Sequence, residues 1–202
     1  MKLEILDSTL RDGAQGADIS FSLSDKLAVA RQLAELGIPL IEAGNPGSNP
    51  KDAEFFQEAQ KLALGGSKLV AFGSTRRKHI PAQEDAALAA LLSAGTAAVC
   101  IFGKASALHV AHVLETSPEE NLAMIADSVR LARQAGRRVI FDAEHFFDGF
   151  AENPDYALRV LGAAAQAGAD TLCLCDTNGG TFPERIGRVT ALVRQGFLGQ
   201  KI

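Results

Sequence analysis

The strongest constraint on the fold is a pattern that repeats six times along the chain. Each repeat begins with a short aliphatic run, continues through a polar loop and ends in a longer segment with apolar residues at helical spacing. The predicted strands are residues 3–7, 39–42, 68–73, 97–102, 139–142 and 171–176, and the predicted main helices are residues 24–36, 50–64, 84–93, 118–135, 154–167 and 183–195. An additional amphipathic segment, residues 106–114, precedes the fourth main helix. Alternating strands and helices of this kind predict an α/β protein with a parallel sheet.

Two architectures fit such a sheet, an open doubly wound sheet and a (β/α)8 barrel of the TIM type. Polar residues follow nearly every predicted strand, whereas an open sheet would concentrate them at one switch point. The pattern therefore favours a TIM-type barrel. At roughly 33 residues per unit, and about 250 residues for a whole barrel, we expect residues 1–202 to form an incomplete TIM-barrel domain, truncated to about six βα units.

The charge and hydropathy of the chain exclude some classes of partner. Its formal net charge is -4 and its acidic and basic residues are interspersed, so we expect no nucleic acid partner. The apolar runs are far shorter than the roughly 20 residues that span a bilayer, so we expect no membrane association, and the N-terminus has no signal-peptide core. The expectation is a cytoplasmic protein with a small-molecule ligand.

The cysteines and histidines give weaker signals. Cys100, Cys173 and Cys175 lie in apolar strand-like runs, which is typical of buried reduced thiols, and we expect no disulfide framework. Cys173 and Cys175 are two residues apart, so on a strand they point to the same face. His109 and His112 lie three apart on a predicted helix. A packing or surface role is favoured for both histidines.

The loop after the first strand reads Asp-Ser-Thr-Leu-Arg-Asp-Gly-Ala-Gln at residues 7–15. Arg11 and Asp12 place a guanidinium and a carboxylate side by side there. A carboxylate suits a hard divalent cation, and an arginine can stabilise an oxyanion that forms during a reaction. A plain surface ion pair is the alternative. Glu42 ends the second strand, where it is placed to accept hydrogen bonds from Arg11 and fix its direction.

The fifth and sixth strands end in two further polar segments. Residues 142–149 read Asp-Ala-Glu-His-Phe-Phe-Asp-Gly, in which Asp142 and Glu144 share strand parity. If the extended backbone continues, both side chains face the same side, and Glu144 is a candidate acid or base. Residues 175–180 read Cys-Asp-Thr-Asn-Gly-Gly. The hydroxyl and amide groups of this segment can bind a carboxylate, although a plain Asx turn fits it equally well.

Together these segments resemble the citramalate synthase branch of the 2-isopropylmalate synthase and homocitrate synthase superfamily. The resemblance rests on residues 7–15, 46–52, 71–78, 142–149 and 175–180. The first segment is shared by the whole superfamily, whereas the other four separate this branch better from its relatives. One departure lies at residues 44–47, which read Gly-Asn-Pro-Gly where the family usually has Gly-Trp-Pro-Gly.

The resemblance implies a Claisen-type condensation of acetyl-CoA with pyruvate, which gives (R)-citramalate and free CoA in isoleucine biosynthesis. It also implies a divalent metal, which is Mg²⁺, Mn²⁺ or Zn²⁺, and a homodimeric full-length enzyme. By the family pattern Asp12 is a metal ligand, Arg11 binds substrate and stabilises developing negative charge, and Glu42 orients Arg11. Thr177 contacts the keto-acid carboxylate, and Glu144 is the acid–base candidate.

The family takes further metal ligands from a His-x-His sequence after the seventh strand, and residues 1–202 contain no such sequence. A site held by Asp12 alone should bind a divalent cation weakly, so the chain on its own is expected to be inactive. Two alternatives stay open. One is a 2-isopropylmalate synthase-like or other acyl-CoA and keto-acid synthase or lyase. The other is a non-catalytic barrel remnant that acts as an interaction module.

Overall fold

A computed structural model describes residues 3–202 of the chain. Its strands are β1 (Leu6–Asp7), β2 (Leu40–Glu42), β3 (Lys68–Ser74), β4 (Ala98–Lys104), β5 (Arg138–Glu144) and β6 (Thr171–Leu174). Its α-helices are α1 (Leu23–Glu35), α2 (Pro50–Ala59), α3 (Ala86–Ser93), α4 (Ala107–His112), α5 (Pro118–Gln134), α6 (Phe146–Glu152), α7 (Pro154–Ala167) and α8 (Pro183–Gly196). The strands follow one another in sheet order β1-β2-β3-β4-β5-β6, and the pairs β1–β2, β2–β3 and β5–β6 are parallel. The α/β prediction is confirmed.

Helix starts are set by side-chain caps and by proline in the first turn. Asn49, Ser117 and Asn153 each accept a hydrogen bond from the first turn of a helix that begins with proline, which is the arrangement that best satisfies the exposed N–H groups of a helix start. The first helix begins at Leu23 because Ser22 and Asp25 form a reciprocal capping box, so its start lies slightly before the predicted one. Among the helices of residues 3–202, none combines the length and the apolar character needed to cross a bilayer.

The largest difference from the predicted elements follows β5. The extended backbone ends at Glu144, because His145 adopts left-handed dihedral angles (φ 57°, ψ 36°) and the helix α6 begins at Phe146. Residues 145–149 were expected to continue a polar loop after the strand, so α6 is a correction. The first and last strands are also shorter than predicted, since β1 contains only Leu6–Asp7 and β6 ends at Leu174.

The described chain divides into two compact units, residues 3–73 with 86–100, and residues 74–85 with 101–202. In the first unit the core contains Phe55 and Phe56, whose rings meet edge to face with centroids 5.4 Å apart. Ile41 from β2 and Leu88 and Leu91 from α3 are also buried in this unit. Burial of such side chains is the main favourable contribution to folding, at about 2 kcal/mol each.

In the second unit, apolar side chains from β5 and from helices α5, α6 and α7 form the core. Phe141, Phe146, Ile125 and Leu161 are fully buried there. One polar residue, Asn121 on α5, is buried among them, and its amide donates to the carbonyl of Lys104 at 2.9 Å and to the hydroxyl of Tyr156 at 2.8 Å. These bonds connect α5 to the end of β4 and to α7. They also stabilise the fold, since a buried amide without hydrogen-bond partners would be costly.

The cysteines differ from their predicted environment. None of the three forms a disulfide, and Cys100 is fully buried. Cys173 and Cys175 are only half-buried, so the prediction of buried thiols is wrong for these two. The physical reason is their place at the end of the strand order, where the other neighbour of β6 is the backbone of Lys201, whose carbonyl accepts from Leu172 at 2.8 Å.

Candidate active site

Arg11 lies in the loop after β1 and contacts three neighbours in the first unit. Its Nε donates to Glu42 Oε2 at 2.6 Å, and its Nη1 donates to Asp12 Oδ1 at 2.7 Å. The guanidinium carbon lies 4.0 Å from the centroid of the Phe72 ring. Glu42, at the end of β2, is fully buried, and the side chain of Arg11 is 19% exposed. The structure therefore brings together the three site residues that were predicted from the first two strand ends.

The neighbours of Arg11 also stabilise the protonated form of its guanidinium. Burial lowers the pKa of Arg11, but the charge and the hydrogen bond of Glu42 raise it, with smaller contributions from Asp12 and Cys100, so that the pKa lies above its ordinary value. A guanidinium that is held on one side by a buried carboxylate and on one face by an aromatic ring keeps its direction. Such a fixed cationic donor is suited to an oxyanion that forms during a reaction.

Asp12, the predicted metal ligand, is the most exposed member of this group. Its side chain is 64% exposed, and one of its oxygens is engaged by Arg11. A carboxylate of this kind suits a hard divalent cation, but such a cation needs several oxygen ligands at once. Within residues 3–202, Asp12 joins no group of three potential ligand side chains. The described residues therefore supply one ligand and do not complete a site for this metal.

Glu144, the predicted acid–base residue, ends β5 in the second unit. It forms an ion pair with Lys104, which ends β4, and both side chains are largely buried, at 25% and 14% exposed. The two residues meet because they close neighbouring strands of the sheet. The sequence placed both at strand ends but gave no reason to pair them. Lys104 was not among the predicted site residues.

Thr177, the predicted carboxylate-binding residue, is exposed in the turn after β6. Its hydroxyl oxygen accepts a hydrogen bond from the backbone N–H of His145 at 2.8 Å. Because a hydroxyl that accepts one hydrogen bond can still donate its own proton, Thr177 keeps the capacity to donate to a carboxylate. This bond also fixes the turn after β5 to the turn after β6, which brings the segments of Glu144 and Thr177 together.

Two histidines beside Glu144 were not predicted as part of the site. The rings of His109, on α4, and His145 stack with centroids 4.0 Å apart. His145 Nδ1 lies 3.2 Å from Asp148 Oδ2, and the same carboxylate oxygen accepts from Asn178 Nδ2 at 2.8 Å. The left-handed backbone of His145 is uncommon outside glycine, although histidine is among the residues that adopt it more often. The sequence contained no signal that this contact would form between α4 and the turn after β5.

We expect the stability of the chain to fall as the pH drops below about 6.5, partly through His109. Burial lowers the pKa of His109, and His145 and Lys104 lower it further, against smaller opposing effects of Glu144 and Glu152. Its Nδ1 is buried and makes no hydrogen bond within residues 3–202. The unfolded chain therefore binds a proton at a higher pH than the folded chain, so stability is lost as pH falls from the unfolded pKa toward the folded one.

Between pH 7.5 and pH 5.5 the free energy of unfolding should fall less in His109→Gln than in the unaltered chain. The two slopes should differ by less than about 1.4 kcal/mol per pH unit. Urea unfolding at the two pH values measures it. The matched control is His112→Gln, because His112 lies on the same helix and is exposed. An equal change of slope in both variants would contradict the assignment.

A cavity of 420 Å³ opens in the second unit beside the Lys104–Glu144 pair. Its walls are largely apolar and include Phe102 and Met124. Four basic residues also line it, Arg76, Arg77, Lys78 and Lys104. This volume lies in the range of small-molecule sites, which are typically apolar with a few placed polar groups. The combination suits a ligand that has an uncharged chain and anionic groups.

The chain belongs to the HMGL-like family, whose model matches residues 2–197. Enzymes of this family are metal-dependent in general. The sequence is 56% identical over 193 residues to the (R)-citramalate synthase of Synechocystis sp., covering 96% of this chain and 35% of that protein. It is 50% identical over 196 residues to the (R)-citramalate synthase of Aquifex aeolicus, covering 97% of this chain and 37% of that protein. The chain thus spans about a third of the length of the curated relatives it matches.

The identity to a related class of enzyme is lower. Against the 2-isopropylmalate synthase of Heliobacterium modesticaldum it is 34% over 195 residues, which cover 96% of this chain and 36% of that protein. Among solved structures, the HMG-CoA lyase of Bacillus subtilis matches with a TM-score of 0.76 at 21% identity, over 98% of this chain and 64% of that chain. This likeness shows the fold, which is the TIM-barrel type predicted from the sequence.

Proposed function

We propose that residues 1–202 form part of the TIM-barrel catalytic domain of a citramalate synthase, a transferase that condenses acetyl-CoA with pyruvate to give (R)-citramalate and CoA. The identity of 47–56% to five (R)-citramalate synthases supports this choice over a 2-isopropylmalate synthase, for which the identity is 33–34%. The proposal includes isoleucine biosynthesis as the pathway and the cytoplasm as the location of the enzyme.

The single observation that carries the proposal is the fixed guanidinium of Arg11. In the reaction, the methyl carbon of acetyl-CoA loses a proton and bonds to the keto carbon of pyruvate, whose oxygen becomes an alkoxide. Water then cleaves the thioester and releases CoA. Arg11 has Nε on Glu42 and Nη1 on Asp12, which holds the guanidinium in one direction. The remaining N–H groups of Arg11 donate to the keto oxygen while negative charge develops there.

The second unit supplies the acid–base group and the carboxylate-binding group of the proposal. Glu144 is the acid–base group, which takes the proton from the methyl carbon of acetyl-CoA or gives a proton to the alkoxide oxygen. Lys104 holds the carboxylate of Glu144 in one position through the ion pair. The hydroxyl of Thr177 donates to the carboxylate of pyruvate while it accepts from the N–H of His145. The roles of Glu144 and Thr177 are the ones that the family resemblance implies, whereas the role of Lys104 is inferred from its ion pair with Glu144.

The cavity of the second unit supports acetyl-CoA as the acyl donor. A CoA thioester has a long uncharged pantetheine arm that ends in phosphate groups. The largely apolar walls fit the arm, and the cations Arg77 and Lys78 at the cavity fit phosphate oxygens. The cavity borders Lys104, which pairs with Glu144, so a thioester held there would have its acyl end close to the proposed acid–base residue.

The proposal includes a divalent cation, Mg²⁺, Mn²⁺ or Zn²⁺, with Asp12 as one of its ligands. When bound, such a cation would chelate the keto acid and polarise its carbonyl. Because the described residues supply only Asp12, no step of the reaction is assigned to the metal here. For the full-length enzyme the proposal also includes a homodimer.

We expect this chain to support citramalate synthesis when it replaces the 196 aligned residues of the Aquifex aeolicus (R)-citramalate synthase. The chimera should release CoA from acetyl-CoA with pyruvate in the presence of Mg²⁺ or Mn²⁺, and chiral chromatography should identify the product as (R)-citramalate. Free CoA is measured with a thiol reagent. Residues 1–202 alone should give no more CoA than a blank without protein.

The same chimera separates the alternatives. A 2-isopropylmalate synthase would prefer 3-methyl-2-oxobutanoate, in which an isopropyl group replaces the methyl group of pyruvate, so we expect pyruvate to give the higher kcat/KM. A chimera that folds by circular dichroism but turns over neither keto acid would favour a non-catalytic interaction module. Turnover by the isolated chain well above the blank would contradict the expectation that it is inactive alone.

A further inference from the structure

The C-terminal ends of β5 and β6 place two thiols and a carboxylate on one face of the sheet. In the parallel pairing of these strands, Asp142 lies directly beside Cys173. Cys175 follows the last residue of β6, and its N–H still donates to the carbonyl of Ala143 at 3.4 Å. The extended pairing with β5 therefore continues to Cys175, which points to the same side as Cys173. One ligand atom of each of the three residues lies within 4.8 Å of the other two, and the two sulfur atoms are 4.0 Å apart. The strand register, rather than a flexible loop, brings these three groups together.

We propose that Asp142, Cys173 and Cys175 form a binding site for a soft or borderline divalent metal, Zn²⁺ or Cd²⁺. Zn–S bonds of about 2.3 Å place two thiolates of a tetrahedral site about 3.8 Å apart, so the observed sulfur separation needs little adjustment. A carboxylate is the third ligand, and water takes the fourth position. Binding releases the two thiol protons to solvent, and the product is a metal dithiolate with no change of oxidation state.

The burial of the three residues fits this use. Asp142 is 8% exposed, which shields the ion from bulk water, while Cys173 and Cys175 are half-buried, which leaves a path for the ion to enter. Thiolate ligands select soft and borderline metals over Mg²⁺ and Mn²⁺, which prefer oxygen ligands. This site is therefore chemically different from the proposed cation at Asp12, and it does not depend on the proposed function.

A disulfide between Cys173 and Cys175 is the competing product, and the strand geometry disfavours it. Residues two apart on a strand are separated by about 6.6 Å at Cα. This separation is at the upper end of the range in which a disulfide forms without strain, about 4.4–6.8 Å. Neither cysteine forms a disulfide in the structure. A bound metal spans the two sulfur atoms without drawing the backbone together.

The site also has a consequence for the neighbouring turns. Asp142 is two residues before Glu144, and Cys175 is two residues before Thr177. A metal held by these ligands joins the ends of β5 and β6, from which both turns depart. We therefore expect metal loading to raise the thermal midpoint of the chain by roughly 5 to 10 °C at a metal concentration about 100 times Kd.

Titration of the 202-residue chain with Cd²⁺ tests the proposal directly, because thiolate-to-cadmium charge transfer absorbs in the ultraviolet. We expect the absorption to saturate at one equivalent, and the affinity to fall by at least about 10-fold in Cys173→Ser and Cys175→Ser. Asp142→Asn should keep the absorption and weaken the affinity by about 10-fold. The matched control is Asp155→Asn, which makes the same substitution at an exposed carboxylate of the second unit and should change neither the absorption nor the affinity.

A second measurement on the unaltered chain decides the question if a variant does not fold. Zn²⁺ should protect Cys173 and Cys175 from alkylation by N-ethylmaleimide, and peptide mass mapping reads each cysteine separately. Equal alkylation rates with and without Zn²⁺ would overturn the proposal. So would a one-equivalent Cd²⁺ absorption that survives in the folded Cys173→Ser/Cys175→Ser double variant, or a Cys173–Cys175 disulfide that forms in air as fast with Zn²⁺ present as without it.

Discussion

Replacing Arg11 with lysine in the chimera should lower kcat for citramalate formation by about 10²- to 10³-fold, with a much smaller effect on KM for pyruvate. The loss is expected because lysine keeps the positive charge and loses the planar fork of donors. An ammonium cannot bond Glu42 and Asp12 at the same time and still present an N–H group to a substrate oxygen in the same plane. The lost hydrogen bond is strongest when negative charge has developed on the substrate oxygen. Its loss therefore lowers kcat more than it changes KM.

The control for this prediction is Arg31→Lys, because Arg31 is an exposed residue on α1 and the substitution is identical. It should leave kcat unchanged. Glu42→Gln is informative in addition, since an amide oxygen still accepts from Nε but no longer carries the charge that holds the guanidinium; we expect a loss of about 10-fold. If Arg11→Lys retained more than half of the kcat of the chimera, Arg11 would be a structural ion-pair residue.

The fold was largely predictable because most helix boundaries are marked by adjacent residues. Each helix start that was predicted well has its information in two or three adjacent residues, as in Ser117-Pro118 and Asn153-Pro154, where a capping side chain precedes a proline. The same holds for glycine after the last turn: Gly37, Gly136 and Gly168 have φ of 79°, 74° and 102°. These signals are local, so a sequence displays them directly.

The elements that the sequence did not predict depend on distant contacts. The helix α6 follows a residue with φ of 57°, and the turn at His145 is fixed by a hydrogen bond to Thr177, which is 32 positions away in the chain. A short segment with phenylalanines and carboxylates has no periodicity long enough to reveal a helix of seven residues. The stacking of His109 on His145 joins two such segments, and it was equally inaccessible.

The candidate site also has features that the sequence predicts and features that depend on distant contacts. Strand ends can be located from the sequence, so Glu42 and Glu144 were correctly placed at the ends of β2 and β5. The carboxyl ends of neighbouring parallel strands lie at one edge of a sheet. Which charged residues pair across that edge depends on strand register and side-chain rotamers. The Lys104–Glu144 pair and the alignment of Asp142 with Cys173 depend on both, and only the structure shows them.

The other interaction with a large expected effect is a buried ion pair between Lys26 on α1 and Asp52 in the first turn of α2, beside the loop after β2. Lys26 Nζ lies 2.5 Å from Asp52 Oδ1, and the two side chains are 4% and 11% exposed. The other carboxylate oxygen of Asp52 accepts from the backbone N–H of Asn45 at 2.8 Å. Gly44 has φ of 141°, and a Cβ there would clash with the carboxylate carbon of Asp52. The loop backbone is therefore fitted closely around this carboxylate.

Asp52→Asn should lower the free energy of unfolding of the chain by roughly 3 kcal/mol, because it leaves the ammonium of Lys26 buried beside a neutral amide. The amide oxygen can still accept from Asn45, so the loss reports on the ion pair. Urea unfolding followed by far-ultraviolet circular dichroism measures it, since the chain has no tryptophan and one tyrosine. The matched control is Glu58→Gln, which removes the carboxylate of the exposed Lys61–Glu58 pair and should cost less than about 0.5 kcal/mol.

A double variant separates an unpaired buried charge from a general loss of packing. Lys26→Met/Asp52→Asn removes both charges and keeps an apolar side chain of similar length at position 26, so we expect it to recover more than half of the stability lost in Asp52→Asn. The cause of the loss would then be the uncompensated ammonium. If the double variant were no more stable than Asp52→Asn, the buried pair would not be what holds this loop. The same would follow if Glu58→Gln lost as much stability as Asp52→Asn. The loop follows β2, which ends with Glu42, the partner of Arg11.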